Sequence, residues 1–218
     1  TYLRQTEQRL AQAGFPEAAR EARLLLAHLL CQSPAAVPLW PGSLAPAQQA
    51  ALEGYVLRRL AGEPLQYVLG ETEFMSLPFA VNPAVLIPRG DTERIVEAAI
   101  ARLRAWPGPL RIADLCCGSG AIGVSLAHFL PHAQVWASDI SAAALEVAQA
   151  NAAQNGVAER MHFLQGDLFA PFAGLPPFAA ILANPPYIPS GEMPQLQAEV
   201  QREPALALDG GSDGLDYY

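Results

Sequence analysis

The sequence predicts an α/β fold in which a parallel sheet follows a small helical module. From residue 110 onward, short apolar runs alternate with helical segments, which is the pattern of a parallel sheet. Before residue 61, apolar residues recur at helical spacing with Arg and Glu between them. We therefore expect an N-terminal all-helical domain at 1–71, a β-hairpin connector at 72–90 and an α/β domain at 91–218.

The composition is that of a folded chain in a reducing setting. Hydrophobic residues make up 51% of the 218 residues, enough for a sizeable core. No apolar run approaches the roughly 20 residues that span a bilayer, so we expect no membrane partner. Cys31 and the adjacent pair Cys116 and Cys117 do not form a disulfide framework, which indicates a cytoplasmic location. We also expect a monomer.

The charge of the chain is acidic and unevenly spread. The net charge is −8, and all 13 basic residues are Arg. Up to residue 75, six Arg face seven acids, whereas from residue 76 onward seven Arg face fourteen. Because binding to nucleic acid rests mostly on cationic contacts with phosphates, we expect no direct DNA binding.

The N-terminal region carries helix signals but no catalytic constellation. We expect helices within 1–31, interrupted near Pro16, then an irregular proline-rich stretch at 33–44 and another helix at 45–60. His28 lies in an apolar helix, where a partly buried histidine is commoner than a ligand. We therefore interpret the region as a recognition or cap domain.

A connector follows, beginning at residue 62. Residues 72–87 have the alternation and turn residues of a β-hairpin. Asp91 or Thr92 is expected to cap an amphipathic helix at 94–104. Arg89 stands between Pro88 and this helix, where an exposed guanidinium can meet a carboxylate or a partner, or remain an ordinary solvated loop residue. We expect it to be a substrate-binding residue.

The α/β region contains four predicted strands, each ending in polar or glycine-rich residues at the same edge of the sheet. The strands are expected at 110–115, 134–138, 161–164 and 178–183, and the helices between them at 121–130 and 142–155.

The first strand leads into a glycine loop. Its residues are Asp114, Cys116, Cys117, Gly118, Ser119 and Gly120, directly before a helix. Glycines let a ligand approach the backbone, and a helix N-terminus offers free N–H groups. A phosphate would be the usual guess, but a Walker loop needs a lysine and the chain has none. We expect no metal, because the two cysteines have no further ligands nearby in sequence.

Two acids end the next strands. Asp139, about twenty residues after the glycine loop, suits a bidentate hold on ribose hydroxyls. Its rival role, capping the next helix, is better filled by Ser141. Asp167 is placed to accept a hydrogen bond from an adenine amino group, with Leu168 and Phe169 beside the ring.

Asn184, Pro185, Pro186 and Tyr187 follow the last of these strands. Two prolines end the strand and stiffen the turn. The Asn184 oxygen and the Pro185 carbonyl can accept the two hydrogens of a planar NH2 group, while Tyr187 packs on its face. Alone, the motif would equally suit a rigid strand exit; the glycine loop and the two acids favour a site.

Together these motifs resemble class I S-adenosylmethionine-dependent methyltransferases. Asn-Pro-Pro-Tyr is shared by members that methylate planar nitrogens: adenine N6, guanine N2 and glutamine N5. Further stretches are similar to the protein-glutamine branch, the PrmC/HemK family of release factor glutamine methyltransferases. These stretches are 62–67, 86–89, 92–93, 184–189 and 203–211. The helical N-terminal domain is also similar, and the resemblance covers essentially the whole chain.

The resemblance implies a Rossmann-like class I methyltransferase sheet that uses S-adenosylmethionine to methylate the glutamine of the Gly-Gly-Gln loop in peptide chain release factors. It implies that 116–120 wrap the methionine part of the cofactor, that Asp139 holds the ribose and that Asp167 and Leu168 border the adenine. Residues 184–187 would hold the substrate amide, with Asn184 also at the cofactor, and the helical domain would recognise the protein substrate.

The chain departs from the family pattern at three points. Cys116 stands where the family's loop has its first glycine, and Pro-Arg-Gly-Asp-Thr-Glu replaces the commoner Pro-Arg-Pro-Glu-Thr-Glu. The family also continues beyond residue 218, so we expect a C-terminally truncated sheet whose activity is in question. Two alternatives stay open: N-methylation of a ribosomal-protein glutamine or of adenine or guanine in nucleic acid, and a fragment that binds cofactor without turnover.

Overall fold

A computed structural model describes all 218 residues of the chain. It contains two compact units, Thr1–Leu69 and Gly70–Tyr218. None of its helices combines the length and apolarity that a bilayer crossing requires.

The first unit is entirely helical. Its α-helices are α1 (Tyr2–Gln12), α2 (Ala18–Leu30), α3 (Pro46–Leu60) and α4 (Leu65–Leu69). Leu10, Leu25 and Val56 are almost fully buried and belong to one apolar core. The helices expected within 1–31 and at 45–60 are confirmed. No separate helix was named after residue 62, where the structure has the short helix α4.

A buried ion pair crosses this helical unit. Both carboxylate oxygens of Glu21 accept hydrogen bonds from the Arg59 guanidinium, at 2.6 and 2.9 Å. The same guanidinium lies 4.2 Å from the ring centroid of Phe15. A buried charge is costly unless it is paired, and this arrangement pairs both charges.

The second unit begins with a β-hairpin. Its strands β1 (Glu71–Phe74) and β2 (Leu77–Ala80) pair antiparallel. Met75 and Ser76 between them both have positive φ, which a two-residue turn of matching twist requires. The predicted hairpin is confirmed, although it ends at Ala80, and residues 81–89 continue as a loop.

A four-stranded parallel sheet forms the centre of this unit. Its strands are β3 (Leu110–Leu115), β4 (Ala133–Asp139), β5 (Met161–Gln165) and β6 (Ala180–Ala183), in the order β5-β4-β3-β6. All neighbours pair in parallel, so every strand ends at the same edge. The predicted fold class is confirmed.

Three helices pack with this sheet: α5 (Gly90–Leu103), α6 (Ala121–Phe129) and α7 (Ala142–Gln154). Alternate residues of β3 enter two different apolar clusters. Ile112 packs in a cluster with residues of all three helices, whereas Ala113 packs with Phe172. The alternation follows from the two-residue period of a strand, and it buries both faces of β3.

The helix caps confirm one expectation and correct another. Ser141 caps α7, accepting a hydrogen bond from the N–H of Ala144 at 3.2 Å. The expected cap of α5 by Asp91 or Thr92 is wrong, because α5 begins at Gly90 with Arg89 in the cap position. Asp91 lies in the first turn instead, where a negative charge is favourable beside the helix N-terminus.

Candidate active site

A cavity of about 460 Å³ lies in the second unit at the carboxyl ends of the strands. Most of the predicted site residues line it, namely Arg89, Cys116, Cys117, Gly118, Ser119, Asp139, Asp167, Leu168, Asn184 and Pro186. Asp114, Gly120, Pro185 and Tyr187 do not line it. The predicted residues were spread over a hundred positions, and parallel strand ends bring most of them to one place.

The glycine loop turns sharply between β3 and α6. Cys116, Gly118 and Gly120 all have positive φ, of 54°, 52° and 77°. This conformation costs little for glycine but strains a residue with a Cβ, so Cys116 is the strained member of the turn. A Cβ at Gly118 would meet no atom within 4 Å, which leaves the backbone there open to a ligand.

Asp139 fixes the glycine loop from the neighbouring strand. Its Oδ2 accepts a hydrogen bond from the N–H of Gly118, and its Oδ1 accepts one from Ser141, both at 2.9 Å. Each carboxylate oxygen has a second acceptor position. Asp139 can therefore hold the loop and still accept hydrogen bonds from ligand hydroxyls.

Asn151 on α7 fixes the same loop from behind. Its side chain is fully buried and donates to the carbonyl of Ser119 at 2.9 Å. Its Oδ1 accepts a hydrogen bond from the N–H of Ala80 at 2.7 Å, and its Nδ2 donates to the carbonyl of Ala80 at 3.0 Å. The glycine loop and the end of the hairpin are thus joined through one buried amide, whose role the sequence did not reveal.

Asp114 is buried beneath the loop, outside the cavity wall. Its Oδ2 accepts a hydrogen bond from the N–H of Gly123 at 2.8 Å, while its Oδ1 has no hydrogen-bond partner. Burial raises the pKa of Asp114 from 3.8 to about 7; the Gly123 hydrogen bond lowers it, and the charge of Asp139 raises it further. At neutral pH this carboxyl group is poised between its two protonation states.

The two loop cysteines are poor nucleophiles. Burial raises the pKa of the Cys116 thiol to about 11, with added repulsion from Asp139, Asp114 and Asp167. Burial also holds the pKa of Cys117 well above its usual value. Because the thiolate is the reactive form, neither cysteine serves as a nucleophile or a base near neutral pH.

The next strand end supplies Asp167 and Leu168. Leu168 has a positive φ of 41° and lines the cavity, as does Asp167. Phe169, expected beside the same ligand ring, does not line the cavity and is 58% exposed.

Asn184 and Pro186 bring the end of β6 to the cavity. Pro185 is buried, and the Tyr187 side chain is 57% exposed. A later segment supports this motif: Ile188 donates to the Leu208 carbonyl at 2.9 Å and accepts from the Gly210 N–H at 2.8 Å. A Cβ at Gly210 would come within 2.7 Å of the Tyr187 Cα, so glycine is needed for this close approach.

Arg89 does meet a carboxylate, that of Glu203 in the same chain. Glu203 is buried, and its other oxygen accepts a hydrogen bond from the N–H of Ile87 at 2.9 Å. Arg89 is the only basic side chain at the cavity, and this pairing neutralises it. The acidic groups Asp139 and Asp167 therefore dominate the charge of the cavity.

Two further parts of the cavity wall carry no motif that points to a ligand. They come from the loop before α5 with the first turn of that helix, and from the C-terminal segment. They include Ala84, Val85, Leu86, Pro88, Thr92, Pro204, Leu206, Ala207 and Tyr217. The family resemblance covered residues 86–89, 92–93 and 203–211 but did not show what they contact, and Ala84, Val85 and Tyr217 lie outside those stretches.

The donor set of this cavity fits S-adenosylmethionine. The cofactor carries a sulfonium and an ammonium, and the cavity offers two carboxylates and no unpaired cation. Its adenosine part needs hydroxyl acceptors and apolar contact, which Asp139 and Leu168 can supply. A phosphate ligand would find no lysine and a neutralised arginine, so a cationic ligand suits the site better.

Comparisons with known proteins point the same way. Residues 1–70 match the PrmC N-terminal domain, and residues 100–208 match the methyltransferase small domain. The release factor glutamine methyltransferase of Moorella thermoacetica is 50% identical over 99% of this chain and 76% of its own length. That of Geobacter sulfurreducens is 50% identical over 80% of this chain and 60% of its own length. The chain thus corresponds to only part of each relative.

Among solved structures, a SAM-dependent methyltransferase from Agrobacterium tumefaciens is 17% identical, with a TM-score of 0.45. The match covers 53% of this chain and 39% of that one, and a likeness of this size carries no weight.

The parallel sheet, the cavity at its strand ends and the matched domain together place the chain among the S-adenosylmethionine-dependent methyltransferases with a Rossmann-like fold. Within this class, the 50% identity to the Moorella thermoacetica enzyme over nearly the whole chain identifies the family. The chain belongs to the release factor glutamine methyltransferase family.

Proposed function

We propose that this chain transfers the methyl group of S-adenosylmethionine to the side-chain amide nitrogen, N5, of a glutamine in peptide chain release factors, the glutamine of their Gly-Gly-Gln loop. One observation carries the proposal beyond the family: Asn184 and Pro186 line the same cavity as Asp139 and Asp167. An amide-binding motif and an acidic, hydroxyl-accepting wall thus share one cavity. The names of the relatives supply the substrate.

In this proposal the cofactor lies along the glycine loop and the two acids. Residues 116–120 contact its methionine part, Asp139 accepts from its ribose hydroxyls, and Asp167 with Leu168 borders its adenine. When bound, S-adenosylmethionine supplies an electrophilic methyl group on a positively charged sulfur. The loop is held by Asp139 and Asn151 before any ligand arrives, which lowers the entropy cost of binding.

The acceptor is held by the motif at the end of β6. An amide nitrogen is a weak nucleophile because its lone pair is delocalised. The Asn184 side-chain oxygen accepts one of its hydrogens, and the carbonyl of Pro185, which lies in the chain between the cavity residues Asn184 and Pro186, accepts the other. These two hydrogen bonds orient the nitrogen and favour positive charge on it. Holding the reacting atoms in line, at an approach of roughly 3–3.5 Å, supplies much of the acceleration.

No residue of the motif is a strong base, so the proton leaves the nitrogen after methyl transfer and passes to water. Cys116 lines the cavity but stays a thiol near neutral pH, since its pKa is raised to about 11 by burial. The neutralised Arg89 leaves no cation for an anionic acceptor, which favours a neutral amide over a nucleotide phosphate.

Mass spectrometry of a release factor incubated with the chain and S-adenosylmethionine tests the proposal. We expect a methyl group on the glutamine of its Gly-Gly-Gln loop and none on an oligonucleotide or a ribosomal protein in parallel reactions. Asn184→Ala should lose about 100-fold or more in kcat, since it removes a transition-state acceptor, while binding of S-adenosylhomocysteine is retained. Gln154→Ala, which removes an exposed amide on α7, serves as the matched control.

Methylation of the oligonucleotide or ribosomal protein without methylation of the release factor would show that the acceptor is wrong. Full turnover by Asn184→Ala would show that the amide is held elsewhere.

A further inference from the structure

Glu203 joins two distant segments of the chain. Its side chain is only 2% exposed, and both of its oxygens are engaged. Oε2 accepts the backbone N–H of Ile87 at 2.9 Å, and Oε1 binds the Arg89 guanidinium. One carboxylate therefore holds both the backbone and a side chain of a segment more than a hundred residues away.

The two segments it joins form different parts of the cavity wall. Residues 84–86 and 88–89 contribute from the loop before α5, and Pro204, Leu206 and Ala207 contribute from the C-terminal segment. Glu203 directly precedes Pro204. Its contacts therefore connect the wall formed by residues 84–89 to the wall formed by the C-terminal segment.

The C-terminal wall is continuous with the acceptor motif. Residues 208–210 exchange backbone hydrogen bonds with Ile188, which directly follows the Asn184–Tyr187 motif in the chain. Short 3-10 turns at Val200–Arg202 and Ala205–Ala207 flank Glu203 and set its backbone. The C-terminal wall that begins next to Glu203 is thus tied to the acceptor motif.

The contacts of Glu203 are ones that a substitution cannot easily replace. A buried carboxylate is tolerated only when paired, and here an N–H and a guanidinium share the two oxygens. Removing the charge of Glu203 leaves the Ile87 N–H and the Arg89 guanidinium without a carboxylate acceptor. Both groups belong to residues 84–89, so this part of the wall would lose its attachment to the C-terminal segment.

We propose that Glu203 is a positioning residue for the methyl acceptor: through Ile87 and Arg89 it holds the loop before α5 against the C-terminal wall and so sets the width of the acceptor end of the cavity. The proposal rests on the proposed function for the identity of the acceptor. It also gives Arg89 a different role, as the partner of Glu203 rather than a group that binds substrate directly.

A positioning role differs from a purely structural one in what it leaves intact. Neither hydrogen bond of Glu203 reaches residues 116–120, so binding of S-adenosylhomocysteine should survive its loss. Acceptor methylation should not, because small misplacements of a reacting group are costly in rate. A merely structural residue would instead lower cofactor binding, acceptor methylation and thermal stability together.

The experiment compares Glu203→Gln and Arg89→Lys with wild type. We expect Glu203→Gln to lower kcat/KM for the release factor by about 30-fold or more, with affinity for S-adenosylhomocysteine within about threefold of wild type. Arg89 and Glu203 share one hydrogen bond rather than a bidentate pair, so Arg89→Lys, which keeps the charge, should retain activity within about fivefold. Glu146→Gln, which removes an exposed carboxylate of α7 that does not line the cavity, is the matched control.

Amide hydrogen exchange of the ligand-free chain keeps this inference separate from the proposed function. In Glu203→Gln, amides of residues 84–87 and 89 should exchange about tenfold faster, and those of 116–120 should be unchanged. If wild type methylates no release factor, the proposed function fails, and the exchange data still decide the role of Glu203. Unchanged exchange at 84–89, or an equal loss of cofactor affinity and acceptor methylation, would overturn it.

Discussion

The carboxylate of Asp139, at the end of β4, accepts a hydrogen bond from the backbone N–H of Gly118, with 2.9 Å between Oδ2 and the nitrogen. Its other oxygen accepts the N–H of Ser141, just before α7. One side chain thus ties the glycine loop to the start of the next helix. The residue that the family resemblance assigns to the ribose also shapes the loop assigned to the methionine part.

Replacing Asp139 by Asn should therefore weaken cofactor binding through the loop as well as through the ribose. The amide has one acceptor oxygen, so one of the two backbone N–H groups loses its partner. We expect affinity for S-adenosylhomocysteine to fall about 10- to 100-fold, the loss of one or two hydrogen bonds to a charged acceptor. Isothermal titration calorimetry measures this.

Glu146→Gln, which removes an exposed carboxylate from α7, is the control for the change in net charge and should bind as wild type does. Hydrogen exchange without ligand separates the two roles of Asp139. Faster exchange at Gly118 in Asp139→Asn would show the loop role, and unchanged exchange there would contradict it.

Gly210→Ala tests whether the C-terminal segment sets the acceptor motif. The new Cβ would lie 2.7 Å from the Tyr187 Cα and 2.9 Å from the Gly214 carbonyl oxygen, so backbone must move. We expect turnover of the release factor to fall about 10-fold or more, because the displaced Tyr187 adjoins the residues that hold the amide. Steady-state kinetics and calorimetry with S-adenosylhomocysteine distinguish this from loss of the cofactor site.

Gly191→Ala is the matched control, because a Cβ there meets no atom within 4 Å and the φ of Gly191 is not positive. Its kinetics should equal those of wild type. If Gly210→Ala also leaves turnover unchanged, the support that we assign to this segment is wrong.

The free-energy cost of the strained turn at Cys116 can be measured by comparing two substitutions at that position. Both Ala and Gly remove the thiol, but only Ala keeps a Cβ at φ of 54°. We expect Cys116→Gly to be about 1 kcal/mol more stable than Cys116→Ala in urea unfolding, since a left-handed conformation costs a residue with a Cβ about that much.

The adjacent Cys117 supplies the opposite case. It is buried and has no positive φ, so Cys117→Gly should be less stable than Cys117→Ala. Equal stabilities of the two Cys116 variants would show that the turn relaxes and that the family's glycine is not needed there.

Much of the sheet and one side of the site followed from local sequence pattern. Alternating strands and helices predicted β3 to β6, and parallel strand ends then placed Asp139 and Asn184 at one edge. At those strand ends, glycine lets a ligand approach the backbone, proline ends the strand and a carboxylate accepts hydrogen bonds. These properties depend little on the rest of the fold. These residues could be chosen from the sequence for that reason, although their roles remain predictions.

The other side of the site could not be predicted in this way. Arg89 and Glu203 are 114 positions apart, and nothing in the local pattern of either says that they meet. Asn151 is similar, since a mid-helix asparagine gives no sign that its amide bridges Ser119 and Ala80. Such contacts depend on tertiary packing. The cap of α5 was misplaced because Asp91 and Thr92 favour a cap and a first turn almost equally.

The buried carboxyl group of Asp114 should make stability depend on pH. Its folded-state pKa is raised from 3.8 to about 7, chiefly by burial, with repulsion from Asp139 adding to it and the Gly123 N–H opposing it. Between these two pKa values the folded chain holds a proton that the unfolded chain has lost. The contribution of Asp114 to stability is therefore complete below the lower pKa and declines as pH rises towards about 7.

Asp114→Asn removes this titration and keeps an oxygen that can accept the Gly123 N–H. Relative to wild type, the variant should gain up to about 1.4 kcal/mol in free energy of unfolding for each pH unit between about pH 5.5 and pH 6.5, and the gain should level off above about pH 7. Urea unfolding across this range measures it. Glu146→Gln, at an exposed position, should run parallel to wild type. An Asp114→Asn curve that also runs parallel would mean that the carboxyl group is not protonated in the folded chain at these pH values, and that its unpartnered oxygen is solvated or paired in solution.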